Sequence, residues 1–338
     1  MKAVFDERQR LHNPLHFLSS GAPQPNPEVP QRIDALLQGV QQVGAELLAP
    51  EDLGMAPLAA VHTAEYLQFL QFIYTRWQRI PDASVEVVPN IHPDHRHVGY
   101  PKSAVGQAGY HQADTACPIM ASTWESAYWS AQTAVTAARQ VLAGADAAYA
   151  LCRPPGHHAF ADLAGGFCFI NNTAIAAQYC VSQGLRPAIV DVDLHHGNGT
   201  QGIFYRRGDV LTVSVHADPV RYYPFFWGYA QERGEAEGLG ANLNLPLPRG
   251  TADDAFLKAL ETGLQRVSAF GANVLVVALG LDAFAGDPFG GLAITTAGFG
   301  RMGLACKSLG LPMIIVQEGG YLCPELGDNL ASFLQAVG

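Results

Sequence analysis

Charge is scarce in this sequence. Asp, Glu, Lys and Arg together make up 15% of its 338 residues, and the balance is acidic, with 20 basic against 30 acidic side chains and a formal net charge of -10. No run of Lys or Arg occurs, so the basic footprint that a nucleic-acid backbone requires is missing, and a neutral or cationic small partner is expected instead. No stretch approaches the roughly 20 continuous apolar residues that span a bilayer. The opening segment MKAVFDERQR meets charges before a signal-like apolar core could form, which leads to the expectation of a cytoplasmic protein with no membrane partner. The six cysteines are Cys117, Cys152, Cys168, Cys180, Cys306 and Cys323. They include no CxxC pair, and most are expected to be buried thiols, with Cys168 set apart by its place inside a motif. Internal repeats and low-complexity tracts are absent as well.

What the chain has is apolar material, 49% of it, arranged in short runs that end in polar or glycine-rich turns. AVF near residue 3, YALC before Arg153, AIVDV before Asp193, VLTVSV before His216, VLVVALG before Leu281 and MIIVQ before Glu318 read as buried parallel strands. Between them lie helical spacings: Ile33, Leu36, Leu37, Val40 and Val43; Tyr66, Leu70, Ile73 and Trp77; Trp124, Tyr128, Ala131, Val135 and Ala138. Alternation of strand and helix predicts a doubly wound parallel sheet, whose ligands bind at the carboxyl ends of the strands. The length would admit two domains, but α/β folds often exceed about 200 residues as one unit, and one domain is expected. Residues 81–118 carry His92, His95, His97 and His111 without a period and read as an irregular insertion.

Four motifs carry chemistry. The first is Arg153-Pro154-Pro155-Gly156-His157-His158, followed by Gly165-Gly166-Phe167-Cys168-Phe169 and Asn171-Asn172. One histidine at a strand end is usually a backbone partner, whereas two held in a Pro/Gly turn beside the next motif point to catalysis. The second is Asp191-Val192-Asp193-Leu194-His195-His196-Gly197-Asn198-Gly199, where period two aims Asp191, Asp193 and His195 to one side. Carboxylates so close without a basic neighbour repel, unless a cation lies between them. The third, Leu279-Gly280-Leu281-Asp282-Ala283-Phe284, delivers a lone carboxylate, and with Asp193 and His195 it completes a three-ligand set of catalytic type with open positions. The fourth, Glu318-Gly319-Gly320-Tyr321, turns sharply after a strand and presents a phenol.

RPPGHH, GGFCFINN, DVDLHHGNGTQ, LGLDAF, GDP and EGGY together resemble the arginase/deacetylase fold, and within it the histone deacetylase-like branch of acetylpolyamine amidohydrolases. The likeness runs along nearly the whole chain. It implies one three-layer α/β domain with a central, mostly parallel multi-stranded sheet flanked by helices, in which 81–118 is a lid that meets its counterpart across a homodimer. It implies zinc on Asp193, His195 and Asp282, with Fe2+ or Co2+ as other occupants of the same N/O set, and structural potassium on Asp191, Asp193, His195, Ser214 and Val215. His157 would pair with Asp191, and His158 with Asn198. Phe167 and Tyr223 would wall a tunnel, and the Gly166 carbonyl would accept the substrate N–H. His158 would shuttle protons, with His157 assisting electrostatically, and Tyr321 would donate to the oxyanion.

The implied activity is removal of acetyl groups from N-acetylated small amines, short diamines or polyamines. Val105 and Ala116 stand where relatives offer acids to a distant ammonium, and Asp114 is the neighbouring acid, so short diamines are favoured over acetylspermine. A protein lysine deacetylase would use the same site behind a different mouth. A binuclear manganese ureohydrolase would need two further acids where Gly197 and Phe284 stand, and a scaffold without catalysis is hard to reconcile with the retained ligands, histidines and Tyr321.

Overall fold

A computed structural model describes residues 1–94 and 99–338; His95 and His97 of the irregular segment fall outside the described residues. The strands are β1 (Lys2–Val4), β2 (His16–Ser19), β3 (Ala22–Pro25), β4 (Glu46–Leu48), β5 (Ala147–Ala150), β6 (Pro187–Asp191), β7 (Leu211–Ala217), β8 (Asn242–Leu247), β9 (Val274–Leu279) and β10 (Met313–Gln317). The α-helices are α1 (Gln31–Gln42), α2 (Ala56–Ala59), α3 (Ala64–Trp77), α4 (Ala104–His111), α5 (Thr123–Leu142), α6 (Asn172–Ser182), α7 (Asn198–Phe204), α8 (Asp253–Phe270), α9 (Thr296–Lys307) and α10 (Leu326–Val337). Eight strands form one sheet in the order β4-β1-β5-β10-β9-β6-β7-β8, with every pairing parallel. β2 and β3 make a separate antiparallel hairpin.

The six strands expected from apolar runs are all present. Their reason is visible in the faces: Tyr149, Val190, Val213, Val277 and Ile315 pack with Ile33, Leu36, Phe256, Phe299 and Phe333 of α1, α8, α9 and α10. Residues one position earlier in four of these strands, Ala148, Ile189, Val276 and Ile314, pack with Ala134, Ala138, Ala174 and Ala177 of α5 and α6. A strand buried on both faces has to be apolar at every position, so it reads as a continuous run. A satellite core under α3, α4 and α5 gathers Tyr66, Leu70, Ile73, Ala108 and Val135.

Two parts of the sheet escape that logic. β4 is a three-residue edge with Glu46 and Leu47 exposed. β8 alternates Asn and Leu, and Asn242 and Asn244 are buried because Gln201, Glu232 and the Tyr229 carbonyl satisfy their amides. The irregular reading of 81–118 also needs correction, since α4 occupies 104–111. Ser103 caps it by accepting the Gly106 N–H, but eight residues containing two glycines give too little period to detect.

All eight strands point the same way, so their carboxyl ends share one edge of the sheet. The four segments that carry motifs leave β5, β6, β9 and β10, and these strands are contiguous in the order β5-β10-β9-β6. Residues more than a hundred positions apart in sequence therefore meet above the middle of the sheet.

Candidate active site

Asp193, His195 and Asp282 come together with one potential donor atom each, all within 4.8 Å of one another, and all three are buried. His195 Nδ1 lies 3.0 Å from Asp282 Oδ2 and 3.3 Å from Asp193 Oδ1. Backbone N–H groups hold the carboxylates in place: Leu194 donates to Asp282 Oδ1 at 3.0 Å, His195 to Asp193 Oδ1 at 2.8 Å and Gly319 to Asp193 Oδ2 at 2.8 Å. Glycine is needed beside them, because a Cβ on Gly280 would lie 2.1 Å from Asp193 Oδ2 and one on Gly319 would lie 2.5 Å from Asp282 Oδ2. Burial raises the Asp282 pKa and the Asp193 charge adds to it, more than the adjacent His195 offsets. Two carboxylates and an imidazole at one buried point fit a divalent metal ion.

Asp191 does not join that group. Its Oδ2 faces His157 Nδ1 at 2.9 Å and its Oδ1 accepts the Asp193 N–H, so the convergence expected of Asp191, Asp193 and His195 holds only for the latter two. The next imidazole, His158, sits 4.0 Å away centroid to centroid, with Nδ1 2.6 Å from Asn198 Oδ1 at the start of α7. An amide oxygen only accepts, so His158 Nδ1 carries the proton and Nε2 keeps its lone pair. The two histidines are driven apart in acidity. For His157 burial is outweighed by Asp193 and Asp191, and its pKa rises well above 6.5; for His158 burial and the charges of His157 and His195 push it well below.

Tyr321 is buried against Phe289, whose ring centroid is 4.6 Å away, and Asp287 of the GDP motif accepts its backbone N–H at 2.9 Å. Burial, reinforced by Asp282 and Asp193 against the opposing Arg32, keeps the phenol protonated far above pH 10. These groups open into a cavity of about 610 Å³, walled by Phe17, Phe167, Tyr222, Tyr223, Phe225 and Phe289. Gly166 and Phe167 both adopt left-handed backbone, with φ of 51° and 67°, a conformation costly for Phe that recurs at functional sites. Tyr223 crosses His158 edge-on at 4.8 Å, and Tyr222 stacks on His195 at 5.2 Å.

Asp114 lines the cavity but is not a free rim charge: Oδ2 accepts the Tyr223 hydroxyl at 2.8 Å and the Gly166 N–H at 3.1 Å, and Oδ1 accepts the Ala116 N–H. Ser214 pairs with Asp191 in the β6–β7 register, and Val215 follows it; the Ser214 hydroxyl is 2.8 Å from His216 Nδ1. His92 and His111 are engaged separately, their Nδ1 atoms on the Gly109 and Asp162 carbonyls.

Several contributors were invisible in the sequence. The β2–β3 hairpin brings Phe17, Leu18, Ser19 and Ser20 to the mouth, where Arg221 and Arg249 also stand. Beneath the site, buried Arg32 and Arg153 share Glu28, and Arg32 donates to the Glu318 and Gly320 carbonyls at 2.7 and 2.5 Å. Arg153 opens the first motif, but no periodic or motif signal marks the hairpin residues, Arg221, Arg249, Arg32 or Glu28.

A parallel α/β sheet with an Asp/His/Asp centre, a histidine pair and a tyrosine at its strand ends defines a hydrolase of deacetylase type. Residues 26–337 match the family model described as "Histone deacetylase domain". The chain is 45% identical over its full length to the acetylpolyamine amidohydrolase of Burkholderia pseudomallei, covering 99% of that protein. It is 44% identical to acetylpolyamine amidohydrolase 1 of Pseudomonas aeruginosa, with 99% of this chain and 98% of that one covered. The crystal structure of an acetylpolyamine aminohydrolase from Burkholderia pseudomallei superposes with a TM-score of 0.97 over 100% of this chain and 98% of the other, at 45% identity. The chain belongs to the histone deacetylase family, in its acetylpolyamine amidohydrolase branch, and is an amide hydrolase. Among the described residues no helix is long and apolar enough to cross a membrane.

Proposed function

We propose that this chain is a zinc-dependent hydrolase that removes acetyl groups from small N-acetylated amines and releases acetate. The observation that carries the reading is the Asp193, His195 and Asp282 centre at the floor of an aromatic-walled cavity, with His158 and Tyr321 facing the same space. Zinc on these ligands would polarise the acetyl carbonyl and acidify water, more mildly than on three histidines because two carboxylates already neutralise its charge. The chain's own groups then carry more of the work. His158 Nε2 takes the proton of the attacking water and returns one to the leaving amine, and Asn198 holds its tautomer. His157, tied to Asp191, keeps positive charge beside the developing oxyanion. Phe167 and Tyr223 clamp the aliphatic chain, and the Gly166 carbonyl orients the amide N–H. Burial of Asp191, Asp193, His195, Ser214 and Val215 side by side at the β6 and β7 ends supports the structural potassium site.

Tyr321 donates to the oxyanion through a phenol that stays protonated. Tyr321→Phe is expected to lower kcat by roughly a hundredfold to a thousandfold, about 3 to 4 kcal/mol, with zinc content unchanged. Steady-state kinetics with metal analysis checks this, and an unaltered kcat would leave the phenol a packing role only.

The preferred substrate is a short acetylated diamine. Full-length relatives are named for acetylpolyamines, and a cavity walled by aromatic rings suits an aminoalkyl chain better than the main chain of a folded protein. Asp114, although engaged by Tyr223, still places negative charge inside the mouth. Arg221 and Arg249 stand further out without a carboxylate partner among the described residues, so each additional ammonium of a longer polyamine meets repulsion that salt weakens. The segment 81–118 serves as a lid on this cytoplasmic enzyme and pairs with its counterpart in a homodimer. On one zinc-loaded preparation, kcat/KM for acetylputrescine or acetylcadaverine should exceed that for acetylspermine and for an acetyl-lysine histone peptide by about tenfold, a difference of about 1.4 kcal/mol. Faster turnover of the histone peptide would replace this reading with that of a protein lysine deacetylase.

A further inference from the structure

Glu318 directly follows β10, is fully buried and is not one of the Asp/His/Asp donors. Its carboxylate spans two parts of the site. Oε2 accepts the backbone N–H groups of Gly156 at 2.7 Å and His157 at 3.0 Å, and Oε1 accepts the Thr173 hydroxyl at 2.6 Å from the first turn of α6. The turn that it grips carries both imidazoles. The residues that follow it, Gly319 and Gly320, carry Tyr321, and the Gly319 N–H reaches Asp193 at 2.8 Å. The turn itself is closely packed, since a Cβ on Gly156 would lie 2.5 Å from the Asn172 nitrogen.

His157, Cys168 and Glu318 bring one potential donor atom each within 4.8 Å of one another, which raises the question of a second metal. The hydrogen bonds answer it: both Glu318 oxygens already accept from protein donors, and burial keeps the Cys168 thiol protonated. The cluster is a clamp. We infer that Glu318 is a positioning residue whose three accepted hydrogen bonds set the His157–His158 turn in register with the Tyr321 turn and the metal ligands. It joins the β5 and β10 strand ends, which are neighbours in the sheet.

The inference rests on the hydrolase reading of the site, and zinc-loaded enzyme with acetylputrescine tests both separately. Absence of turnover by the wild-type protein defeats that reading. For the clamp, Glu318→Ala should lose about a hundredfold in kcat, the scale on which misplacing a catalytic group by an ångström acts. KM and zinc content should stay near wild type. Glu318→Gln can offer its amide oxygen to the two N–H groups and its NH2 to the Thr173 oxygen, so it should remain within about threefold of wild type. Glu318→Asp, one methylene shorter, should fall with Ala and provides the same comparison if the alanine variant does not fold. The clamp is overturned if Ala or Asp keeps wild-type kcat, if Gln falls as far as Ala, or if the loss of rate matches a loss of zinc.

Discussion

Asp282→Ala is expected to empty the metal centre and abolish turnover while leaving a folded protein. Asp282 is fully buried, takes the Leu194 N–H on one oxygen and faces His195 Nδ1 with the other. Burial and the neighbouring Asp193 both raise its pKa, so the carboxylate is held there at an energetic cost that a bound cation offsets. Removing it takes away one of three ligands and also relieves the repulsion with Asp193, which is why the fold should persist. The contrast with wild type lies in metal-dependent stability. Free zinc at a hundred times its Kd should raise the unfolding free energy of the wild-type protein by about 2.7 kcal/mol. The variant should show no such rise in thermal unfolding, and metal analysis should find it empty. Stoichiometric zinc with full activity in Asp282→Ala would remove this residue from the centre.

His158→Ala should cost roughly a hundredfold to ten-thousandfold in kcat, the range typical of a lost general base. Its pKa is lowered by burial first and by His157 and His195 next, so the lone pair on Nε2 is available through neutral pH and is lost only as pH falls through the lowered value. The limb of the pH profile that reports this base should vanish in His158→Ala. His157→Ala is the informative companion. Deleting that neighbouring positive charge should raise the His158 pKa and move the acid limb towards higher pH, with part of the rate retained. An intact profile in His158→Ala would show that another group carries the proton.

Each motif could be interpreted locally, and the structure places each one after the strand expected to precede it. His157 and His158 follow β5, Asp193 and His195 follow β6, Asp282 follows β9 and Tyr321 follows β10, as the apolar runs before them had suggested. The resemblance carried the pairing of His157 with Asp191 and of His158 with Asn198, and both distances bear it out. Asp114 shows the limit of such reading. An acid near a mouth looks free in a sequence, and only the fold reveals that Tyr223 and Gly166, 109 and 52 positions away, have claimed it.

The sequence by itself determined which segments become buried strands and what chemistry each strand end can perform, because a two-faced buried strand leaves no alternative to a continuous apolar run. The tertiary structure alone decided which ends become neighbours. In a parallel sheet adjacent strands are joined by long crossovers, so the order β5-β10-β9-β6 is not written in any local pattern. It also decided the polar framework: Glu318 under the histidine turn, Arg32 and Arg153 sharing Glu28, and β8 with its buried asparagines. A buried polar group is stable only where partners are supplied, and here those partners come from segments far away in the chain.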